Sequence, residues 1–224
     1  MTEIISVGVF QGSSGDSVFS DINELVIKVM EAGNMKVTNV EDRTDCGYMN
    51  DSTAGFDQAL ERAMENIEAY ERHGFDYIVN TIVGGGMALK EYDKLFVPGT
   101  AWYDRAKTFT NKVRDISVIM DMADLEFKHE VERTAVYQSP YELENIQKIF
   151  DEPVKIIKQI PGLNFIEKQR DEVQEVKPDL IITSNFGWRS HTKPGIDLSG
   201  TNDQVEVKHL VEVVAESCGI ASNQ

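Results

Sequence analysis

Phe75-Asp76-Tyr77-Ile78-Val79 leads through polar and small residues to Gly84, and Pro178-Asp179-Leu180-Ile181-Ile182 leads the same way to Gly187. Each stretch places an acid ahead of a short branched or aromatic run that ends near glycine, the pattern of a buried strand feeding a turn. The two stretches stand 103 positions apart. Val9-Phe10-Gln11 and Val136-Tyr137-Gln138 close two similar apolar runs 127 positions apart, so the second copy is shorter by 24 residues. Two such copies predict two similar lobes, the second truncated.

Working outward, Ile4 to Phe10 reads as a strand that opens into Gln11-Gly12-Ser13-Ser14-Gly15. Ile22, Leu25, Val26, Val29 and Met30 then recur at helical spacing, with Ser20 or Asp21 as the start and Gly33 as the stop. Lys36 to Val40 is a second strand. Phe56, Ala59, Leu60, Ala63, Met64 and Ile67 make the apolar stripe of a long helix, which Arg72, His73 and Gly74 end. Tyr77 to Val79 is the third strand, Gly84-Gly85-Gly86 the turn after it, and Met87 to Phe96 a helical segment. Strands alternating with helices predict an α/β fold with parallel sheets flanked by helices, here as two Rossmann-like lobes.

Residues 1–100 form the first lobe on this reading, 101–132 a mainly helical connector and 133–224 the second lobe. The second repeats the order with a strand at Thr134 to Tyr137, a helix from Glu142 to Lys158, strands at Leu163 to Ile166 and Leu180 to Ile182, and a strand and helix from Val205 to Val214. The shortening falls in one place. Glu41 to Asp76 spans 35 positions, whereas Glu167 to Asp179 spans 12, so most of a long helix is absent from the second copy.

The 224 residues carry 38 acidic and 22 basic side chains, for a net charge of -16. A bare phosphate backbone would be repelled over most of such a surface, which argues against nucleic acid as a partner. No apolar run reaches the roughly 18–20 residues that span a bilayer, and no signal peptide opens the chain, so a cytoplasmic location is expected. Cys46 and Cys218 are the chain's cysteines. A single bridge between them stays open, but a disulfide framework, a structural zinc site or an iron–sulfur cluster needs more thiolates than this.

The order of these landmarks resembles the cysteine-rich (CCG) domain family, which includes the iron–sulfur subunits of lactate utilisation and glycolate oxidase and a subunit of heterodisulfide reductase. The resemblance rests on the opening strand and loop, on Asp45-Cys46-Gly47 in the place of Cys-Cys-Gly, and on Tyr77-Ile78-Val79 with Gly84-Gly85. It continues through Lys90-Glu91-Tyr92-Asp93-Lys94-Leu95-Phe96, Pro161-Gly162-Leu163-Asn164-Phe165 and His209-Leu210-Val211-Glu212-Val213. It implies an oxidoreductase subunit whose thiolates, on loops at one sheet edge, hold an iron–sulfur cluster. Ser13, Asp45, Gly85, Pro140 and Trp188 stand where the resemblance puts ligand cysteines, and the second Cys-Cys-Gly motif falls in the deletion. Only Cys46 is retained. Glycine and proline offer no ligand atom and serine and aspartate only hard oxygens, so a degenerate, cluster-free site with no cofactor or metal is expected.

The same loops nominate the candidate ligand-binding residues. Ser13 and Ser14 precede a helix, where backbone N–H groups can receive an anion. Gly84 and Gly85 permit close backbone approach. Asp45 and Cys46 occupy the altered cysteine motif, Gln138 closes a strand, and Trp188, Arg189 and His191 offer a stacking face, an anion partner and an acid–base group. No catalytic residue stands out. Three roles follow: a non-catalytic subunit or binding module for iron–sulfur or flavin dehydrogenase components, an enzyme or sensor for a small organic anion, or a subunit whose site a partner chain completes.

Overall fold

The computed structural model describes residues 4–10, 17–41, 43–47, 53–167, 178–185 and 205–221. In the first lobe, β1 (Ser6–Phe10), β2 (Lys36–Asn39), β3 (Tyr77–Asn80) and β4 (Val113–Asp115) form one parallel sheet in the order β2-β1-β3-β4. In the second, β5 (Thr134–Gln138), β6 (Asn164–Phe165), β7 (Leu180–Thr183) and β8 (Glu206–His209) repeat that order as β6-β5-β7-β8, again parallel. The α/β architecture of two Rossmann-like lobes is the one expected.

The stretch around Asp76 shows why the repeat is legible. The Asp76 carboxylate accepts hydrogen bonds from the Ser6 N–H at 2.8 Å and the Ser6 hydroxyl at 2.6 Å, and Asp179 accepts one from the Thr134 N–H at 3.0 Å. In return the Asp76 and Asp179 N–H groups donate to the carbonyls of Ser6 and Thr134 at 3.1 and 2.9 Å. One acid in each lobe thus ties the start of the central strand to its neighbour. These bonds equate Ser6 with Thr134, an offset of 128, which corrects the offset of 127 by one residue. The register agrees, since Val9 lies beside Val79 and Tyr137 beside Ile182. One residue matters because successive side chains face opposite sides of a sheet.

Helices α1 (Ser17–Ala32) and α5 (Ile116–Met122) follow β1 and β4; α6 (Asp151–Ile157) and α7 (Leu210–Cys218) follow in the second lobe, the latter directly after β8. α1 packs on α7 and α5 packs on α6. Because α1 corresponds to α6 and α5 to α7, this is one contact made twice, the self-complementary packing of a two-fold pair within a single chain. Val7, Val9, Val79, Ala135, Leu180 and Ile182 from the two sheets and Val26, Val29, Ile119, Ile156 and Val213 from the helices share that core. The outer face of the first sheet is covered by α2 (Thr53–His73) and α4 (Ala101–Thr110), through Ala63, Ile67, Tyr70 and Phe109.

Several local expectations need correction. Val113–Asp115, within the stretch read as a helical connector, is the fourth strand of the first sheet. Three residues are too few to show a period. Gly84 and Gly85 are not in a loop but in the first turn of α3 (Val83–Lys90), followed by a 3₁₀ turn at Tyr92–Leu95. The single helix expected from Glu142 to Lys158 is a π-helical turn at Glu142–Ile146 and then α6. Lys148 adopts a left-handed φ of 58°, and Pro153, which lacks an N–H, sits in the first turn of α6 where none is needed. Left-handed Asn34, with φ 61°, follows Gly33 at the end of α1.

Candidate functional site

A strand order of 2-1-3-4 reverses direction between the first and third strands, and ligands of such sheets bind outside the carboxyl ends at that switch. Buried polar side chains gather there in both lobes. Asn80, Thr81, Asp115 and Ser117 do so in the first, and Gln138, Thr183, Ser184 and His209 in the second. The register sets Asn80 beside Asp115, Gln138 beside Thr183, and Thr183 beside His209.

Asp115 and His209 end equivalent strands and cap equivalent helices. Asp115 Oδ1 accepts from the Ser117 N–H at 2.9 Å and the Ser117 hydroxyl at 2.6 Å. His209 Nδ1 accepts from the Val211 N–H at 3.2 Å, while the His209 N–H donates to Glu212 at 2.7 Å, a reciprocal capping box. Burial pushes the Asp115 carboxyl above its usual range, against the pull of its Ser117 bonds. Burial pulls the Lys90 ammonium down, with Asp115 opposing it.

Lys90 Nζ donates to Gln147 Oε1 at 2.7 Å, joining α3 to the π-helical turn of the other lobe, and Val83, Leu143 and Ile149 pack at the same junction. The Tyr137 hydroxyl lies 2.8 Å from the Ser184 hydroxyl, and its pKa is raised by burial and further by the Asp115 charge across the lobes. The two carboxyl edges therefore face a common region.

The Asp45-Cys46-Gly47 loop is bolted to α2. Asn66, fully buried, accepts from the Thr44 N–H at 2.9 Å and donates to the Asp45 carbonyl and the Tyr92 hydroxyl, both at 3.0 Å. The Tyr92 hydroxyl donates to the Cys46 carbonyl at 3.1 Å. The Asp45 carboxylate accepts from the Gly47 N–H at 2.8 Å and from Arg62 Nη1 at 2.6 Å. Gly47 is left-handed, with φ 64°.

At the third strand a Cβ on Gly85 would sit 2.9 Å from both Asn80 side-chain polar atoms. Asn80 Oδ1 accepts from the Ile82 N–H at 2.6 Å, whereas Asn80 Nδ2, Thr81 Oγ1 and both polar atoms of Gln138 are buried without a hydrogen-bond partner among the described residues. Leaving such a group unpaired costs roughly 1–3 kcal/mol.

Of the nominated residues, the structure brings Gly85 to Asn80 but leaves open space beside Gly84, holds Asp45 and Cys46 against α2, and places Gln138 on the other lobe beside Thr183. Ser13, Ser14, Trp188, Arg189 and His191 lie outside the described residues. Asn66, Arg62, Tyr92, Asn80, Lys90 and Asp115 were not singled out from sequence. Only the position of Asn80 and Asp115 at strand ends could have signalled them.

An iron–sulfur cluster finds a poor donor set in the described residues. The Asp45 carboxylate is engaged by a guanidinium, and a side chain at Gly85 would run into Asn80. Among the described residues no group of three or more His, Cys, Asp or Glu could hold a metal ion, and neither Cys46 nor Cys218 forms a disulfide. No described helix is long and apolar enough to cross a membrane.

Duplicated parallel sheets with polar carboxyl edges define the class of protein. No protein-family model matches the chain. Among curated proteins it is 24% identical over 243 residues to a probable glycolate oxidase iron–sulfur subunit of Bacillus subtilis, covering 95% of this chain and 55% of that protein. It is 28% identical over 188 residues to an uncharacterised iron–sulfur protein of Methanococcus maripaludis, covering 84% and 34%. With lactate utilization protein A of Bacillus licheniformis it shares 22% over 246 residues, covering 94% and 99%. The chain thus spans about half of the first relative, a third of the second and nearly all of the third. The resemblance read from the landmarks holds at the level of sequence: the chain is similar along most of its length to proteins named as lactate-utilisation and glycolate-oxidase iron–sulfur subunits.

Proposed function

We propose that this chain is a cluster-free relative of those subunits, acting as a non-catalytic subunit or binding module beside iron–sulfur or flavin components of lactate or glycolate oxidation. One observation carries the reading: at the altered cysteine motif the Asp45 carboxylate bonds to Arg62 and to the Gly47 N–H, so the loop is closed by an ion pair and a backbone bond. Soft thiolates are what iron–sulfur clusters require, and an engaged carboxylate is a poor substitute.

Anaerobic reconstitution with iron and sulfide tests it. Iron well below one atom per chain and no cluster absorption are expected. A stoichiometric [4Fe–4S] signal that disappears in Cys46→Ala would sink the proposal. The partner half of the reading has its own test in affinity capture of the tagged chain from its native cell, where dehydrogenase components should be enriched and their absence counts against a subunit role.

A second reading, a site for a small organic anion at the same edges, is favoured by the orphaned Gln138 amide and by Asn80 Nδ2, which suit a ligand that supplies hydrogen bonds. Lactate or glycolate should then raise the melting temperature saturably, and Arg189→Ala should remove the response. A flat titration in the native chain excludes this reading.

A further inference from the structure

The outer flank of α3, the first turns of α2 and the Asp45-Cys46-Gly47 loop enclose a cleft of about 430 Å³. It is a different place from the orphaned amides: neither Asn80, Gln138 nor Gly85 lines it. Phe56 and Ala59 come from α2, Met87 and Ala88 from α3, and Tyr92 and Leu95 from the 3₁₀ turn. The size falls within the roughly 300–1,000 Å³ of small-molecule sites, which are mostly apolar with a few placed polar groups. Two alanines face the space where larger side chains would fill it.

The walls are built to hold their shape. A Cβ on left-handed Gly47 would lie 3.4 Å from the Ala59 Cα, so the loop rides directly on α2. Tyr92 is pinned through its hydroxyl to Asn66 and Cys46, and its ring stacks on Phe109 at 5.4 Å between centroids. Phe56, by contrast, leaves 40% of its surface exposed, an apolar face with water as its neighbour.

The charges at the cleft cancel. Glu91 and Lys94 pair with each other at 2.5 Å, so the lining offers no spare cation to an anionic ligand, and the chain as a whole carries -16. Removing exposed apolar surface such as Phe56 from water favours an apolar guest. We propose that this cleft binds an uncharged, mainly apolar small molecule of one or two rings, seated between Phe56 and Met87 with the Cys46 thiol as a soft, polarisable neighbour.

The test uses the whole chain and the neutral fluorescent probe N-phenyl-1-naphthylamine. Saturable binding at one probe per chain is expected, displaced by 2-naphthol and at least tenfold less well by 2-naphthoate. Ala88→Phe, at a partly exposed position, should fill the cleft and weaken the probe at least tenfold while the melting temperature holds. In the native chain, bound probe should slow alkylation of Cys46 by N-ethylmaleimide at least threefold, read by peptide mass with Cys218 as the internal reference. This readout stands even where the variant does not fold. Non-saturable binding, equal displacement by naphthoate, unchanged affinity in folded Ala88→Phe, or unprotected Cys46 would each overturn the proposal. None depends on the iron content.

Discussion

Gly8 and Phe10 line the outer face of the first sheet where Val136 and Gln138 line that of the second. The first face is covered by α2 and α4. Tyr70 from α2 stacks on Phe10 at 6.0 Å between centroids and meets Phe75 and Phe109 edge-on at 5.8 and 5.6 Å. Gly8 makes room for this cluster, since a Cβ there would come within 2.5 Å of the Phe75 ring. On the second sheet the described outer face holds Val136 and Ile181 with Ile166, Val205 and Val207. A face that receives a long aromatic-bearing helix needs a gap in the strand. At the strand position equivalent to Gly8 the second lobe carries Val136, packed with Ile181 among the described residues.

The difference has an energetic side. Phe10 is fully packed among aromatic side chains, worth about 0.5–1.5 kcal/mol per ring pair beyond simple burial. Gln138, equally deep, buries an amide without partners among the described residues. An apolar side chain would suit that depth better, and so Gln138 is locally frustrated where its counterpart Phe10 is not.

The largest expected effect is at Phe10. Phe10→Ala should lower the unfolding free energy by about 3–5 kcal/mol in urea denaturation, because the aromatic cluster cannot collapse into the space. A loss under about 1 kcal/mol would mean that the α2 face is loosely packed. Gly8→Val, which gives the first lobe the residue of the second, should cost on the order of 1–3 kcal/mol by overpacking. Tolerance of that valine would break the contrast between the faces.

Gln138→Leu runs the other way. Removing the orphaned amide should raise stability by about 1–2 kcal/mol. A loss instead would show that the amide is satisfied in solution, and the comparison would then sharpen into a functional one.

The smallest effect concerns Asp76, whose carboxyl is pulled below the usual range, first by the Ser6 hydroxyl and then by the Ser6 N–H. A lowered folded-state pKa adds stability above the ordinary aspartate value that is lost as pH falls through the lowered one. Asp76 is exposed, and solvent screening keeps the gain small. Melting curves of Asp76→Asn should therefore match the native chain near pH 2 and fall slightly below it near pH 6. Equal curves at both would remove the strand tie in the first lobe.

Much of this was readable in the residues. Asp76 and Asp179 mark the repeat because each must bond to the start of a central strand. Ala59, Ala63 and Ile67 mark α2 because a helix buries one stripe. Phe56 belongs to the same stripe by spacing, yet it faces a cleft, since position along the helix and not period decides what lies opposite. Val113–Asp115 shows no period because three residues are too few to carry one, and the break before Pro153 is hidden because Ile146, Ile149 and Ile156 keep helical spacing through it. At the site, the altered cysteine motif was legible by residue type. Asn66 and Tyr92, which hold it, were not, as each bonds to residues 20 or more positions away.

Local chemistry along the chain determined every described strand but β4, the major helices, the duplicated order and the scarcity of thiols, because periodicity, turn residues and ligand atoms are properties of short segments. Tertiary structure alone decided that α1 meets α7 as α5 meets α6, that Arg62 closes on Asp45, and that a cleft opens beside Cys46. Those contacts join residues distant in sequence, and their geometry follows from how faces pack rather than from what any segment prefers.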